Sequence, residues 1–300
     1  MFTGGRTFVL LAFGVWAIQA REEEPVVSVA SRSHVLPRVV AFGDSITQHG
    51  SVVDVNGWVA QLATWYERKA DVVNRGLAGY NSRLARLAID AVFPPPQQQA
   101  PPGGEAGGSR TDSNSAPTVL AIVSFGANDM VHADDVSGSY VPLDSYRDNL
   151  VAIASHIRGV LGEQTPMVLV APAPVCEENR TKKCEKGGRG TCPDRTAAVA
   201  GAYAAACRRV AAEALPPIPV VDMFAALGSG DQGQACAHGT LLKDGLHFAG
   251  RANDALFQGL AEVVRLHFPA ADPAAMPTFL PEFGELDMED PEATFRDFGL

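Results

Sequence analysis

Charge is scarce in this chain: charged residues make up 19% of its 300 residues, below the usual quarter. Basic residues are the scarcer sign, 24 Lys and Arg against 34 Asp and Glu. Proteins that bind nucleic acid through its phosphates need clustered Lys and Arg to displace counterions, so the balance argues against nucleic acid as a partner. The acid is also uneven. Residues 282–297 hold seven carboxylates and one Arg, so that stretch supplies −6 of the net −10 and the rest is only mildly acidic. The uncharged, mainly apolar stretch over 7–20 falls short of the roughly 20 apolar residues that a membrane-spanning helix needs. Close C-x2-4-C pairs of the zinc-binding kind are missing too, since Cys176, Cys184 and Cys192 stand eight residues apart.

What is present is enough apolar residue, 46% of the chain, to fill a core. The start reads as a targeting segment: Arg6, then the apolar stretch, then small Ala20. Residues 1–20 are therefore expected to be a secretory signal peptide, with a signal anchor or mitochondrial presequence as alternatives and the cytoplasm as a further location. In an oxidising compartment the five cysteines would form disulfides with one thiol left over. The sequon Asn179-Arg-Thr181 lies in the same Lys-rich stretch; that stretch is expected to be a solvated loop whose cysteines take no part in catalysis.

Short β-rich runs alternate with helical patterns. Strands are expected over 38–42, 71–74, 118–124, 167–171 and 218–221, the first, third and fourth being nearly continuous apolar runs suited to burial on both faces. Helices are expected over 58–70, 82–92, 143–161, 194–214 and 250–267. In the third, Tyr146, Leu150, Ile153 and Ile157 fall on one stripe. Alternation of this kind implies a parallel sheet with helices on both faces, in one α/β/α domain over 36–268. Residues 94–117 hold no large apolar side chain and are expected to form a disordered surface insertion. The acidic tail, 269–300, carries Phe279, Phe283, Phe295 and Phe298. Disorder, docking on the body and docking on a second subunit of a homodimer are all open for it.

Four polar segments carry chemistry. Gly43-Asp-Ser45 follows the first strand, where ligands bind in open α/β sheets, and offers a hydroxyl. Asp244-Gly-Leu-His247 offers an imidazole to take that hydroxyl's proton and a carboxylate to orient the imidazole. Gly76-Leu-Ala-Gly79-Tyr-Asn81 and Gly126-Ala-Asn128-Asp129 offer a backbone N–H and a side-chain amide, donors suited to the negative oxygen of acyl transfer. Each alone is ordinary turn chemistry. Their conjunction, with a nucleophile, a base, an orienting acid and two donors in order, is not. Two decoys fail. Gly228-Ser-Gly230-Asp-Gln-Gly233 fits the dinucleotide fingerprint but lacks a strand directly before it. Thr47 breaks the G-x-S-x-G elbow of the α/β-hydrolases around Ser45.

On these motifs the sequence resembles the GDSL/SGNH hydrolases, whose four invariant positions correspond here to Ser45, Gly79, Asn128 and His247. The blocks FGDSIT, NRGLAGYNS, FGAND and DGLH, together with Pro172-Ala-Pro174, are most similar to the isoamyl acetate-hydrolysing esterase subgroup, and the likeness runs over 38–265. The resemblance implies a three-layer α/β/α sandwich with a five-stranded parallel sheet, flavodoxin-like. It implies Ser45 as nucleophile, His247 as base and Asp244 as its orienting acid. The N–H groups of Ser45 and Gly79 and the amide of Asn128 would form the oxyanion hole. No metal and no organic cofactor are implied, and the partner is a small-molecule ester. Hydrolysis of small acetate-type esters through an acyl-serine is the leading expectation; carbohydrate deacetylation, acyl transfer and a non-catalytic binding protein are the alternatives.

Overall fold

In the computed structural model, residues 35–95, 116–188, 190–237 and 241–298 are described. The expected signal peptide and nearly all of the 94–117 insertion lie outside them. In chain order the elements are β1 (Arg38–Gly43), α1 (Ser45–His49), α2 (Trp58–Trp65), β2 (Asp71–Gly76), α3 (Ser82–Val92), β3 (Thr118–Ser124), α4 (Leu143–Leu161), β4 (Met167–Ala171), α5 (Glu177–Gly187), α6 (Ala197–Glu213), β5 (Val220–Asp222), α7 (Met223–Ala226), α8 (Gln232–Ala235), α9 (Gly250–His267) and α10 (Pro291–Asp297).

The five strands form one sheet in the order β2-β1-β3-β4-β5, every pairing parallel. The apolar runs take the middle. Val39, Ala41 and Phe42 of β1, Leu120 to Ile122 of β3 and Val168 of β4 are all wholly buried, as a sheet covered on both faces requires. The expected stripe on α4 faces inward, with Tyr146, Leu150, Ile153 and Ile157 all buried. Truncating one such side chain, Ile153→Ala, would cost about 2–5 kcal/mol.

Among the expected boundaries that move, three do so for a clear local reason. The last strand begins at Val220 rather than 218, because Pro216, Pro217 and Pro219 have no N–H to give a ladder, and the N–H of Ile218 turns back to Ala211. The second helix stops at Trp65, ahead of Arg68, which sits at φ 61° in the left-handed region. The helix expected from 194 begins at Ala197, capped by the Thr196 hydroxyl, because Asp194 is spent on buried ion pairs.

The expected solvated loop over 176–192 is overturned. Most of it is α5, whose positions 176, 180 and 184, four residues apart, turn one face inward; Cys176, Arg180 and Cys184 are buried. Disulfides join Cys176 to Cys236 and Cys184 to Cys192, and the leftover thiol is buried Cys207. The sequon residue Asn179 lies half-buried in the first turn of α5.

Past 268 the chain docks on the body. Ala271 and Met276 are buried, whereas Phe283 stays exposed. The Tyr66 hydroxyl donates to the Ala271 carbonyl at 2.8 Å. Arg68 donates to the carbonyls of Leu280 and Pro281, both at 2.8 Å, and pairs with Glu282. No helix among the described residues is long and apolar enough to cross a membrane.

Arg68 is thus both strained and an anchor, which gives a test. Arg68→Gly relieves a left-handed conformation costing about 1–2 kcal/mol and forfeits hydrogen bonds worth about the same together. Global stability in urea should change by no more than about 1 kcal/mol, while limited proteolysis should open to sites within 277–298. Cleavage unchanged from the parent would show that the tail holds without Arg68.

Candidate active site

In a parallel sheet all carboxyl ends lie along one edge, and the strand order turns around between β1 and β3, where loops diverge and leave a crevice. β1 delivers Ser45 to that crevice and β3 delivers Asn128. At Gly43 the backbone passes so close to its surroundings that a Cβ would stand 2.1 Å from Thr47 Oγ1 and 2.5 Å from the Ser124 carbonyl. Asp44 then caps α1, its carboxylate accepting from the Ile46 N–H at 2.9 Å. The chain turns sharply at the strand end and leaves Ser45 in the first turn of a helix.

Ser45 Oγ lies 2.9 Å from His247 Nε2, across 202 residues of sequence. His247 Nδ1 lies 3.1 and 3.0 Å from the two Asp244 oxygens. One of those oxygens also accepts from the N–H groups of Leu246 and His247, at 3.2 and 3.0 Å. The turn between acid and base needs Gly245, which is at φ 81° and whose Cβ would meet the Cys176 carbonyl at 2.7 Å.

Gly79 stands at φ 81°, and Asn128 Nδ2 donates to the Tyr80 carbonyl at 2.8 Å, so one of its two N–H groups remains to face a ligand. The two segments are locked together below. Asp129 accepts from the Ser82 N–H at 2.9 Å and from the Ser82 hydroxyl, which also receives Asn149 Nδ2. Ser45, Gly79, Asn128 and His247 line one cavity of about 330 Å3, with Ser137 and Ser139 on its rim. All the residues expected in the site meet there, with Asp244 behind His247. A larger cavity of 540 Å3 beside α4 and α6 brings no serine and histidine together. Of the decoy glycines, Gly228 and Gly230 lie between α7 and α8 and Gly233 within α8, so that α7 and not a strand directly precedes them.

Three carboxylates within this site differ in charge. Burial pushes Asp44 up to about 7, with the neighbouring Asp129 adding to the rise against the Ile46 N–H. Burial likewise pushes Asp129 up to about 6, in spite of the Ser82 bonds. Asp244 goes the other way. Its partial burial favours the neutral form, but bonds from the His247 side chain and backbone and from Lys183 together outweigh this and hold it well below the ordinary carboxylate range. Of the three, Asp244, the one against the imidazole, is the most firmly ionised.

Sequence reasoning passed over several neighbours. The His49 ring centroid is 5.2 Å from that of His247, and burial, then repulsion from His247 and Lys243, lowers the His49 pKa. Arg180 and Lys183, both on α5, reach Asp244. Nothing in a polar, Lys-rich stretch marks which cations will turn inward; only the four-residue spacing of 176, 180 and 184 carried a signal.

The sequence profile of the GDSL-like Lipase/Acylhydrolase family matches residues 41–255. The chain belongs to that family. It is therefore a hydrolase of carboxylic esters. It is 36% identical to a GDSL esterase/lipase of Arabidopsis thaliana, over 87% of this chain and 98% of that one. It is 31% identical to an isoamyl acetate-hydrolyzing esterase 1 homolog of Bos taurus, over 88% of this chain and 94% of the relative. Among solved structures, a lipase/acylhydrolase from Enterococcus faecalis superposes with a TM-score of 0.53 at 18% identity, covering 81% of this chain and 98% of its own. That likeness concerns the fold.

The raised Asp44 makes stability depend on pH. The folded protein keeps this proton to about pH 7, whereas an unfolded chain releases it near 3.9. The group therefore favours folding in acid and costs stability progressively as pH rises from about 4 to about 7. Asp44→Asn keeps a capping oxygen and removes the titration. Its stability relative to the parent, from urea midpoints, should climb across that window and level off above it. A pH-independent difference would assign the titration elsewhere.

Proposed function

We propose that the protein hydrolyses small, acetate-type carboxylic esters through an acyl-serine intermediate. The observation carrying this reading is the unbroken line from Ser45 Oγ through His247 to Asp244. A serine hydroxyl is a poor nucleophile until a base takes its proton. His247 Nε2 is within hydrogen-bond reach to do so, while ionised Asp244 holds the proton on Nδ1 and stabilises the imidazolium that forms. Ser45 Oγ adds to the ester carbonyl, and the oxygen that becomes negative is received by the N–H groups of Ser45 and Gly79 and the Asn128 amide. His247 then returns its proton to the leaving alcohol. Water, activated by the same imidazole, releases the acid and regenerates the serine.

The size of the site supports a short acyl group. The cavity holds about 330 Å3, at the small end of the roughly 300–1,000 Å3 typical of ligand sites, so a long acyl chain would overrun it. The mammalian relatives named for isoamyl acetate hydrolysis agree with this reading. Two disulfides support an oxidising compartment, in accord with a signal peptide at 1–20.

Ser45→Ala and His247→Ala should each abolish nearly all turnover, and the double variant should lose scarcely more than either, because the pair acts as a unit. Losses that multiply in the double variant would contradict a shared step.

In a chain-length series of p-nitrophenyl esters, kcat/KM should be highest for acetate to butyrate and fall beyond. Faster turnover of octanoate or longer would overturn the short-acyl reading. Acetylated saccharides in the same assay separate the deacetylase alternative.

A further inference from the structure

Asn128 can stabilise an oxyanion only while its nitrogen, not its oxygen, faces the substrate. The two ends of a carboxamide have nearly the same shape, so only polar partners decide which way it points. The Tyr80 carbonyl takes one N–H on one side. On the other side stands Arg195, its side chain 3% exposed. Arg195 Nη2 donates to Asn128 Oδ1 at 3.3 Å, and Nε donates to the Ala127 carbonyl at 2.7 Å. Two nitrogens of one planar group thus grip adjacent residues of the loop after β3.

The fork is itself held. Arg195 Nη1 meets Asp194 Oδ2 at 2.6 Å. Asp194, fully buried, also receives Arg180 Nε at 2.9 Å and Nη2 at 2.5 Å. Arg180 Nη1 in turn lies 3.7 Å from Asp244 Oδ2. One buried carboxylate therefore links the guanidinium that grips Asn128 to the guanidinium beside the acid of the His247 pair. All three of these linking residues come from α5 and the stapled segment that follows it.

We infer that Arg195 is a positioning residue for ester hydrolysis: it sets the carboxamide of Asn128 so that an N–H faces the developing oxyanion. The inference rests on the reading of Asn128 as an oxyanion donor. Lysine cannot substitute, because one ammonium nitrogen cannot reach two acceptors at the fixed angle of a guanidinium, although it preserves the charge that Asp194 needs.

The test is a double-mutant cycle on a short p-nitrophenyl ester, with thermal midpoints recorded for every variant. Asn128→Ala should lower kcat by about 10²–10³-fold with KM little changed. Arg195→Lys and Arg195→Met should each lower kcat by about 10- to 100-fold, again with KM held. In the Asn128→Ala background, Arg195→Lys should cost less than about 3-fold more, because nothing is left to orient. Arg195→Lys keeps the buried charge balanced and so carries the test if Arg195→Met does not fold. A wild-type kcat in Arg195→Lys, or losses that multiply in the double variant, would overturn the inference while leaving Asn128 its role. If Asn128→Ala keeps full kcat, the oxyanion reading fails, and the inference with it.

Discussion

β1 is hydrogen-bonded in parallel on both of its edges, to β2 on one side and β3 on the other. Parallel pairing sends the carboxyl ends of all three strands to the same edge of the sheet, and the reversal of order between β1 and β3 opens that edge. The serine after β1, the glycine after β2 and the asparagine after β3 are brought to one place by this arrangement. Their separations along the chain, 45 to 79 to 128, are set by the crossover helices α2, α3 and the segments around them. The histidine joins from the turn before α9, which packs back against α2 and β5.

Around that crevice the protein manages charge by burial. Asp44 and Asp129 are structural acceptors at helix and loop starts, and burial pushes both toward the neutral form. Asp244 lies closer to solvent and is ringed by His247, Lys183 and Arg180, which keep it ionised. A negative charge next to the imidazole helps it accept a proton. The same charge at Asp44, one residue from the proposed nucleophile, would oppose formation of an oxyanion. Differences in burial and partners separate carboxylates of one chemical type into two roles.

The segment from Cys176 to Asp194 is where the architecture departs from a plain doubly wound sheet. It is polar in composition yet turns Cys176, Arg180 and Cys184 inward, and two disulfides tie it to α8 and to its own end. Cross-links of this kind restrict the unfolded chain and hold a segment that has little apolar surface to bury. What the segment presents to the site is two arginines sharing one buried carboxylate.

The alternation of apolar runs with helical stripes was enough to expect a parallel α/β sheet: β3 and β4 keep both expected ends, and β1 and β2 keep the first and run one and two residues further at the carboxyl end. The motifs around Ser45, Gly79, Asn128, Asp244 and His247 were legible because each sits in a polar turn at a strand end or helix start, where local sequence dictates local structure. The sequence alone could not assign Arg180, Lys183, Asp194 or Arg195, nor pair the cysteines. Those contacts are long-range: an ion pair or disulfide depends on where two distant segments are brought by the packing of the whole sheet, and the chain near each residue looks like any solvated, charged stretch. The sequence by itself determined which groups could do acyl chemistry and on which kind of sheet. Only the tertiary structure decided which cations face them, because burial and direction in space leave no mark on composition.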